Sequence, residues 1–125
     1  MDGDTPRRPA DTAEVMRRFN DGFLRHDPDV FPALVAADCV IENTVPAPDG
    51  ARHEGRAACL ALWQGIAANC AAHFELEDVE CHGPRAIIRW RYRWGDGAGD
   101  AVRGVNLMRV KDGLIVEAMG YVKGK

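Results

Sequence analysis

Four histidines and four cysteines are the side chains of this 125-residue chain with the most obvious chemistry, and their spacing narrows what that chemistry is. Cys39, Cys59, Cys70 and Cys81 form no C-x-x-C pair, and no His/Cys cluster has the spacing of a zinc site. Each cysteine lies in an apolar segment, so all four are expected as buried free thiols in a reducing compartment. A cysteine nucleophile would need a base beside it, which the spacing does not supply. Among the histidines, His53 precedes a predicted helix in a loop. Imidazole exchanges protons near neutral pH, which makes His53 the candidate acid or base; a solvated loop histidine is the competing reading. His26, His73 and His82 fall at element ends and are expected to be exposed. No metal or organic cofactor is implied.

The element that must position any such group is the stretch Ala86 to Trp94, A-I-I-R-W-R-Y-R-W. Ala86, Ile88, Trp90, Tyr92 and Trp94 alternate with Ile87, Arg89, Arg91 and Arg93. A strand's side-chain period is two, so one face is bulky and apolar and the other cationic. The rings need a covering layer of helix, a ligand, or both. The arginines face outward, either as a solvated face paired with Glu75, Glu77 and Glu117 or within a dimer interface.

Around that strand the chain reads in order. Residues 1–10 form a polar, proline-rich tail expected to be disordered, and residues 11–125 form one domain. Asp11 or Thr12 caps a first helix whose apolar stripe is Val15, Met16, Phe19, Phe23 and Leu24. Asp29 caps a short second helix with Pro32 in its first turn. A first strand runs from Cys39 to Val45, with Ile41, Asn43 and Val45 on one face. Pro46 to Gly55 is a loop, and Arg56 to Asn69 a third helix with Leu60, Trp63, Ile66 and Ala67 on one side. Strands follow from His73 to Cys81, through the central stretch, from Ala101 to Val110 and from Leu114 to Val122. Lys111-Asp112-Gly113 makes the last hairpin turn. Helices segregated from strands joined by short connections give an α+β domain of two layers.

Composition excludes several classes. A hydrophobic content of 46% supports a real core in one domain. A formal net charge of −3 shows no footprint for nucleic acid. No apolar run approaches a membrane span, and the N-terminus lacks the apolar core of a secretory signal, so a cytoplasmic protein is expected.

Three stretches, A-A-D-C-V-I-E-N, P-D-G-A-R-H-E-G-R-A-A and R-G-V-N-L-M-R-V-K-D-G-L-I-V-E-A-M-G-Y-V, resemble the nuclear transport factor 2-like superfamily, nearest its SnoaL-like branch. The resemblance runs from about Glu14 to Gly124. It implies a cystatin-like cone: a curved antiparallel or mixed sheet wrapped on three helices, with a pocket between the layers. Such families include ketosteroid isomerases, polyketide cyclases and limonene epoxide hydrolases. In a ketosteroid isomerase the first strand carries the aspartate base, and Asn43 stands there. Its oxyanion pair, a tyrosine and a protonated aspartate, corresponds to Phe19 and Asn106, while Trp63 keeps an aromatic position. In limonene epoxide hydrolase the matching asparagine is Asn43, but Ile41 replaces the tyrosine and Gly120 the last-strand aspartate. Arg89 and Arg91 have no interleaved aspartate, and the aspartate of the polyketide cyclases' Asp/His pair has no identified counterpart. The catalytic acids of these relatives are therefore replaced.

The family register implies a pocket lined by Phe19, Phe23, Trp63 and Ile88, together with Trp90, Met108 and Val122. Asn43, Asn106 and Tyr92 supply its polar groups, and His53 stands at its mouth as proton carrier. That set implies a cytosolic protein binding a mostly apolar, oxygenated small molecule, of the isomerase, cyclase or hydrolase kind. The alternative is a non-catalytic ligand-binding or dimerisation module, in which the two amides bond each other or backbone. Relatives commonly pair through the outer sheet face. Val105, Leu107 and Met119 lie on that face here, so a homodimer is expected.

Overall fold

The computed structural model describes residues 11–124; the tail expected over residues 1–10 lies outside them. Helix α1 spans Thr12–Leu24 and begins where the Asp11 carboxylate accepts the Glu14 backbone N–H at 2.7 Å. Val15, Met16, Phe19 and Phe23 are buried on its inner stripe. Leu24, which the periodicity assigns to that stripe, is 43% exposed at the helix end. Arg17 and Arg18 lie on the opposite face and bond Glu14; those hydrogen bonds hold its carboxyl down at about 2.

The short second helix is a 3-10 helix, Pro28–Ala33, capped by Asp27 and not by Asp29. The Asp27 carboxylate accepts from the Asp29 N–H at 3.1 Å, a bond that needs the cap two residues upstream. Gly22 lets this segment close on α1: a Cβ there would lie 2.5 Å from Val30 and 2.6 Å from the Phe31 ring.

Strand β1 spans Val35–Glu42, starting four residues before the predicted Cys39 and ending three before Val45. The predicted loop contains a second strand, β2, Arg52–Glu54, paired antiparallel with β1. Helix α2 is Arg56–Ala68, followed by β3 (His73–His82), β4 (Arg85–Arg93), β5 (Ala101–Lys111) and β6 (Leu114–Val122). Gly113, at φ +76°, makes the β5–β6 turn.

The sheet order is β2-β1-β6-β5-β4-β3. β1 runs parallel to β6 and every other pair is antiparallel, so the sheet is mixed. Leu76 and Val79 both reach inner-face partners on β4, Trp90 and Ile88, although they are three apart in sequence. A bulge between Leu76 and Asp78 absorbs the extra residue and bends the strand. α1 packs against β3 and β4, and α2 against β1 and the 3-10 helix, all on one sheet face. The core between them is aromatic. Phe19 meets Trp63 edge-on at 4.8 Å and Phe23 at 5.0 Å, and Phe31 closes the cluster. The result is a helix-covered α+β fold of curled sheet, as the sequence implied. Among the described residues no helix is long and apolar enough to cross a membrane.

The opposite face carries the arginines. Arg93 pairs with Glu75 at 3.4 Å, Arg103 with Glu77 at 2.7 Å, Arg89 with Glu80 at 3.7 Å and Arg109 with Glu117 at 3.5 Å. Glu75, Glu80 and Glu117 thus meet arginines across strands, and Glu77 is shared between Arg91 and Arg103, the latter not among the arginines expected to pair.

Candidate functional site

Between α1, α2 and the inner sheet face lies a cavity of about 390 Å³. Strand alternation delivers its lining in steps of two. β1 and the residues after it contribute Ile41, Asn43 and Val45; β6 contributes Ala118, Gly120 and Val122. β4 contributes Ile88, Trp90 and Tyr92, with Trp94 just beyond, and β5 contributes Asn106 and Val102. Phe19, Asn20, Phe23 and Leu24 come from α1, Trp63 and Ile66 from α2.

Register sorts these residues by depth. Ile41 faces Ala118, so the floor is apolar. Glu42 pairs with Met119, and the next step along both strands sets Asn43 beside Gly120. Asn106 pairs with Gly120 from the other side. Gly120 thus leaves room for the Asn106 amide oxygen and the Thr44 methyl. A Cβ on Gly120 would lie 3.2 Å from Asn106 Oδ1 and 3.0 Å from the Thr44 methyl. Toward solvent the lining is apolar again. Leu24, Val45, Leu76, Trp94 and Val122 all line the cavity and are all substantially exposed, forming an apolar rim.

Both sheet amides are held by one atom. Trp90 Nε1–H donates to Asn106 Oδ1 at 3.1 Å, and the Thr44 backbone N–H donates to Asn43 Oδ1 at 2.8 Å. The indole reaches Asn106 because it lies flat over β5 at Gly104, where a Cβ would come within 2.6 Å of the ring. Asn20 is buried on α1, and among the described residues its side chain has no hydrogen-bond partner.

Glu42 is the one carboxylate in the lining, and Arg52 holds it at 3.1 Å. Strand alternation turns that pair away from Ile41, to the outer face. No histidine or cysteine lines the cavity among the described residues.

Two expected site residues lie elsewhere. His53 is on β2, not in a loop at the mouth, and pairs with Ile41 at the far edge of the sheet. It is half-buried outside the cavity, and its Nε2 is buried without a hydrogen-bond partner. Met108 pairs with Ala118 and is 1% exposed in the core beneath the floor. The other expected residues, Asn43, Asn106, Tyr92, Phe19, Phe23, Trp63, Ile88, Trp90 and Val122, are brought together around the cavity. Asn20 and Gly120 were missed as site residues. Asn20 had a signal, since it stands four residues from Met16 and three from Phe23 within the apolar stripe.

The cysteines divide. Cys39 and Cys59 are buried, and desolvation pushes both thiols up; the Cys59 thiol donates to Cys39 O at 3.4 Å. Cys70 and Cys81 are exposed, contrary to the expectation of burial. Cys70 follows the end of α2, and Cys81 falls on the outer stretch of β3, so the apolar neighbours that suggested burial did not decide it. His26 is not exposed as expected. Its Nδ1–H bonds Ala67 O at 2.9 Å and its Nε2 meets His73 Nδ1 at 3.3 Å, tying α1, α2 and β3 together. The geometry can hold an apolar molecule and offer hydrogen bonds to an oxygen at mid-depth. Among the described residues no histidine lines the cavity, and its one carboxylate, Glu42, is held by Arg52.

A helix-covered mixed sheet with a cavity between its layers defines a cystatin-like, nuclear transport factor 2-like domain. The family model for the SnoaL-like domain matches residues 16–118, and the chain belongs to that family. It is 65% identical to a nuclear transport factor 2-like protein of unknown function from Mesorhizobium loti, with a TM-score of 0.86 over 90% of this chain and 91% of that one. It shares its fold with a protein provisionally assigned as a polyketide cyclase from Sinorhizobium meliloti, at 24% identity and TM-score 0.70 over 86% and 93% of the two chains. A protein provisionally assigned as a ketosteroid isomerase from Kribbella flavida is similar at 23% identity and TM-score 0.73, over 90% and 77%. No curated protein matches it significantly.

Proposed function

We propose that the cavity binds a mostly apolar, oxygenated small molecule. One observation carries this reading: a 390 Å³ apolar cavity, within the size range of ligand sites, is lined among its apolar side chains by two half-buried amides, Asn43 and Asn106. A core that only needed filling would have no reason to place amides there, since a buried amide costs stability unless it is bonded. Apolar substrates bearing oxygen are what the assigned activities of the cyclase and isomerase neighbours suggest. Asn43, Asn106 and Tyr92 would orient and polarise a substrate oxygen. Isomerase, cyclase or hydrolase chemistry would then proceed without a proton shuttle from the cavity wall. The lack of a base among the lining residues favours the second reading, a ligand-binding module without catalysis. The protein is proposed to act in the cytoplasm as a homodimer, with Val105, Leu107 and Met119 of the outer face in the contact.

The test is thermal shift with apolar ketones, lactones and epoxides. Wild type is expected to be stabilised, and Asn106→Leu to remain folded without that stabilisation. A stable Asn106→Leu protein that still responds would assign the amide to structure alone. Light scattering at micromolar concentration tests the pairing: Leu107→Glu is expected to convert a dimer to a monomer, and a monomeric wild type would overturn it.

A further inference from the structure

We propose that Trp90 is a specificity-determining residue that fixes the direction of the Asn106 amide. The polar tier of the cavity then recognises an oxygen that only accepts hydrogen bonds, such as a ketone, lactone or ester carbonyl, in preference to an alcohol. The proposal rests on the reading that the cavity binds small molecules, and it names the class within that reading.

An asparagine amide has an accepting end and a donating end, and left alone it can turn either toward a ligand. The partner decides. An indole N–H can only donate, so the atom it meets at 3.1 Å is the Asn106 oxygen, and the NH₂ group is left over. A backbone N–H can likewise only donate, and it claims the Asn43 oxygen at 2.8 Å. Among the described residues neither NH₂ group has a partner, and neither nitrogen is sealed from the cavity. Each amide, its oxygen already accepting one bond, therefore has its NH₂ group left over as a donor. A carbonyl oxygen accepts from either. A hydroxyl can also accept, but beside these two amides its own hydrogen meets donors and is paired only where it reaches Asn20 or the Tyr92 hydroxyl; left unpaired, it is costly in an apolar site.

Trp90 holds this direction because its ring is itself fixed. It is 8% exposed, it lies over Gly104 where a Cβ would touch it at 2.6 Å, and Phe74 packs edge-on against it at 5.5 Å. Asn20, on the helix side of the cavity, is not held and can turn either end to a ligand, so it sets no preference.

The experiment measures the affinities of three probes of one shape, 2-decalone, 2-decalol and decalin, by calorimetry or competition. Wild type is expected to bind the ketone about 10-fold more tightly than the alcohol. In Trp90→Phe the Asn106 amide is free to turn its oxygen to an O–H, and the ratio is expected to fall below about 3-fold, chiefly through tighter alcohol binding. Extra space left by the smaller ring would act on all three probes alike and cancel in the ratio. Trp90→Met removes the same N–H donor with a flexible apolar side chain, and it serves if Trp90→Phe does not fold. Asn106→Leu is expected to erase most of the ketone's advantage over decalin. Decalin binding with a wild-type ketone-to-alcohol ratio near one overturns the direction but not the cavity reading. An unchanged ratio in Trp90→Phe, or in Trp90→Met where Trp90→Phe does not fold, overturns the role of Trp90. Failure of all three probes to bind wild type overturns the inference together with the reading beneath it.

Discussion

The two faces of β4 are built from one run of nine residues and obey opposite rules. The inner face places Ile88, Trp90 and Tyr92 against helices and cavity, where shape and hydrogen-bond direction matter. The outer face places Arg89, Arg91 and Arg93 opposite glutamates on neighbouring strands, where charge matters and shape matters little. Inner-face groups each have one permitted partner: the Trp90 indole has Asn106, and Gly104 has no room for a methyl. Outer-face groups share partners, as Glu77 does between Arg91 and Arg103. The contrast predicts steep, specific losses for inner-face substitutions and shallow ones for the outer face.

The largest expected effect is on the inner side. Trp63 is 4% exposed and packed edge-on against Phe19, so Trp63→Ala is expected to cost about 3–5 kcal/mol in urea unfolding. Arg89→Ala, across the sheet, is expected to leave the urea midpoint unchanged, because a lone exposed ion pair contributes little. Equal losses in the two variants would break the comparison.

His53 sharpens it from the other direction. Its unpartnered buried Nε2 is a liability if the ring has no chemical task, so His53→Leu is expected to raise stability by about 1 kcal/mol without changing ligand affinity. Loss of affinity would restore His53 to the site. The cysteines give a chemical version of the same contrast. Iodoacetamide on the folded protein is expected to label Cys70 and Cys81 and to spare Cys39 and Cys59, read by peptide mass spectrometry.

The smallest expected effect is electrostatic. The folded-state pKa of Glu14 lies below its unfolded value of 4.5, at about 2, because Arg17 and then Arg18 hydrogen-bond its carboxylate. Its stabilisation is therefore present above 4.5 and fades as pH falls toward 2. Glu14→Gln is expected to lower stability slightly at pH 7, and the difference from wild type to fade as pH falls from 4.5 toward 2, which makes acid unfolding less steep across that window. Solvent screening of this partly exposed group keeps the effect small.

Much of this architecture was legible before folding, and particular residues show why. The alternation from Ala86 to Trp94 gave the correct inward and outward faces, and the stripe Val15, Met16, Phe19, Phe23 gave the buried face of α1. β2 was not legible. Arg52–Glu54 has no apolar alternation and is a strand only because β1 lies beside it. Placing His53 in a loop followed from that omission and put it at the wrong end of the sheet. Met108 was assigned to the cavity correctly by face but wrongly by depth, since alternation says which side a residue takes and not how far along the cone it falls.

The sequence by itself determined the faces of the strands and helices and the order of the layers, because side-chain direction follows from local backbone geometry. The tertiary structure alone decided that Asn43 and Asn106 line one cavity, and that Trp90 reaches across Gly104 to hold Asn106. Those neighbours come from different strands, and their meeting depends on long-range pairing and on the register shifts of the β1–β6 and β5–β6 ladders, which no local period encodes.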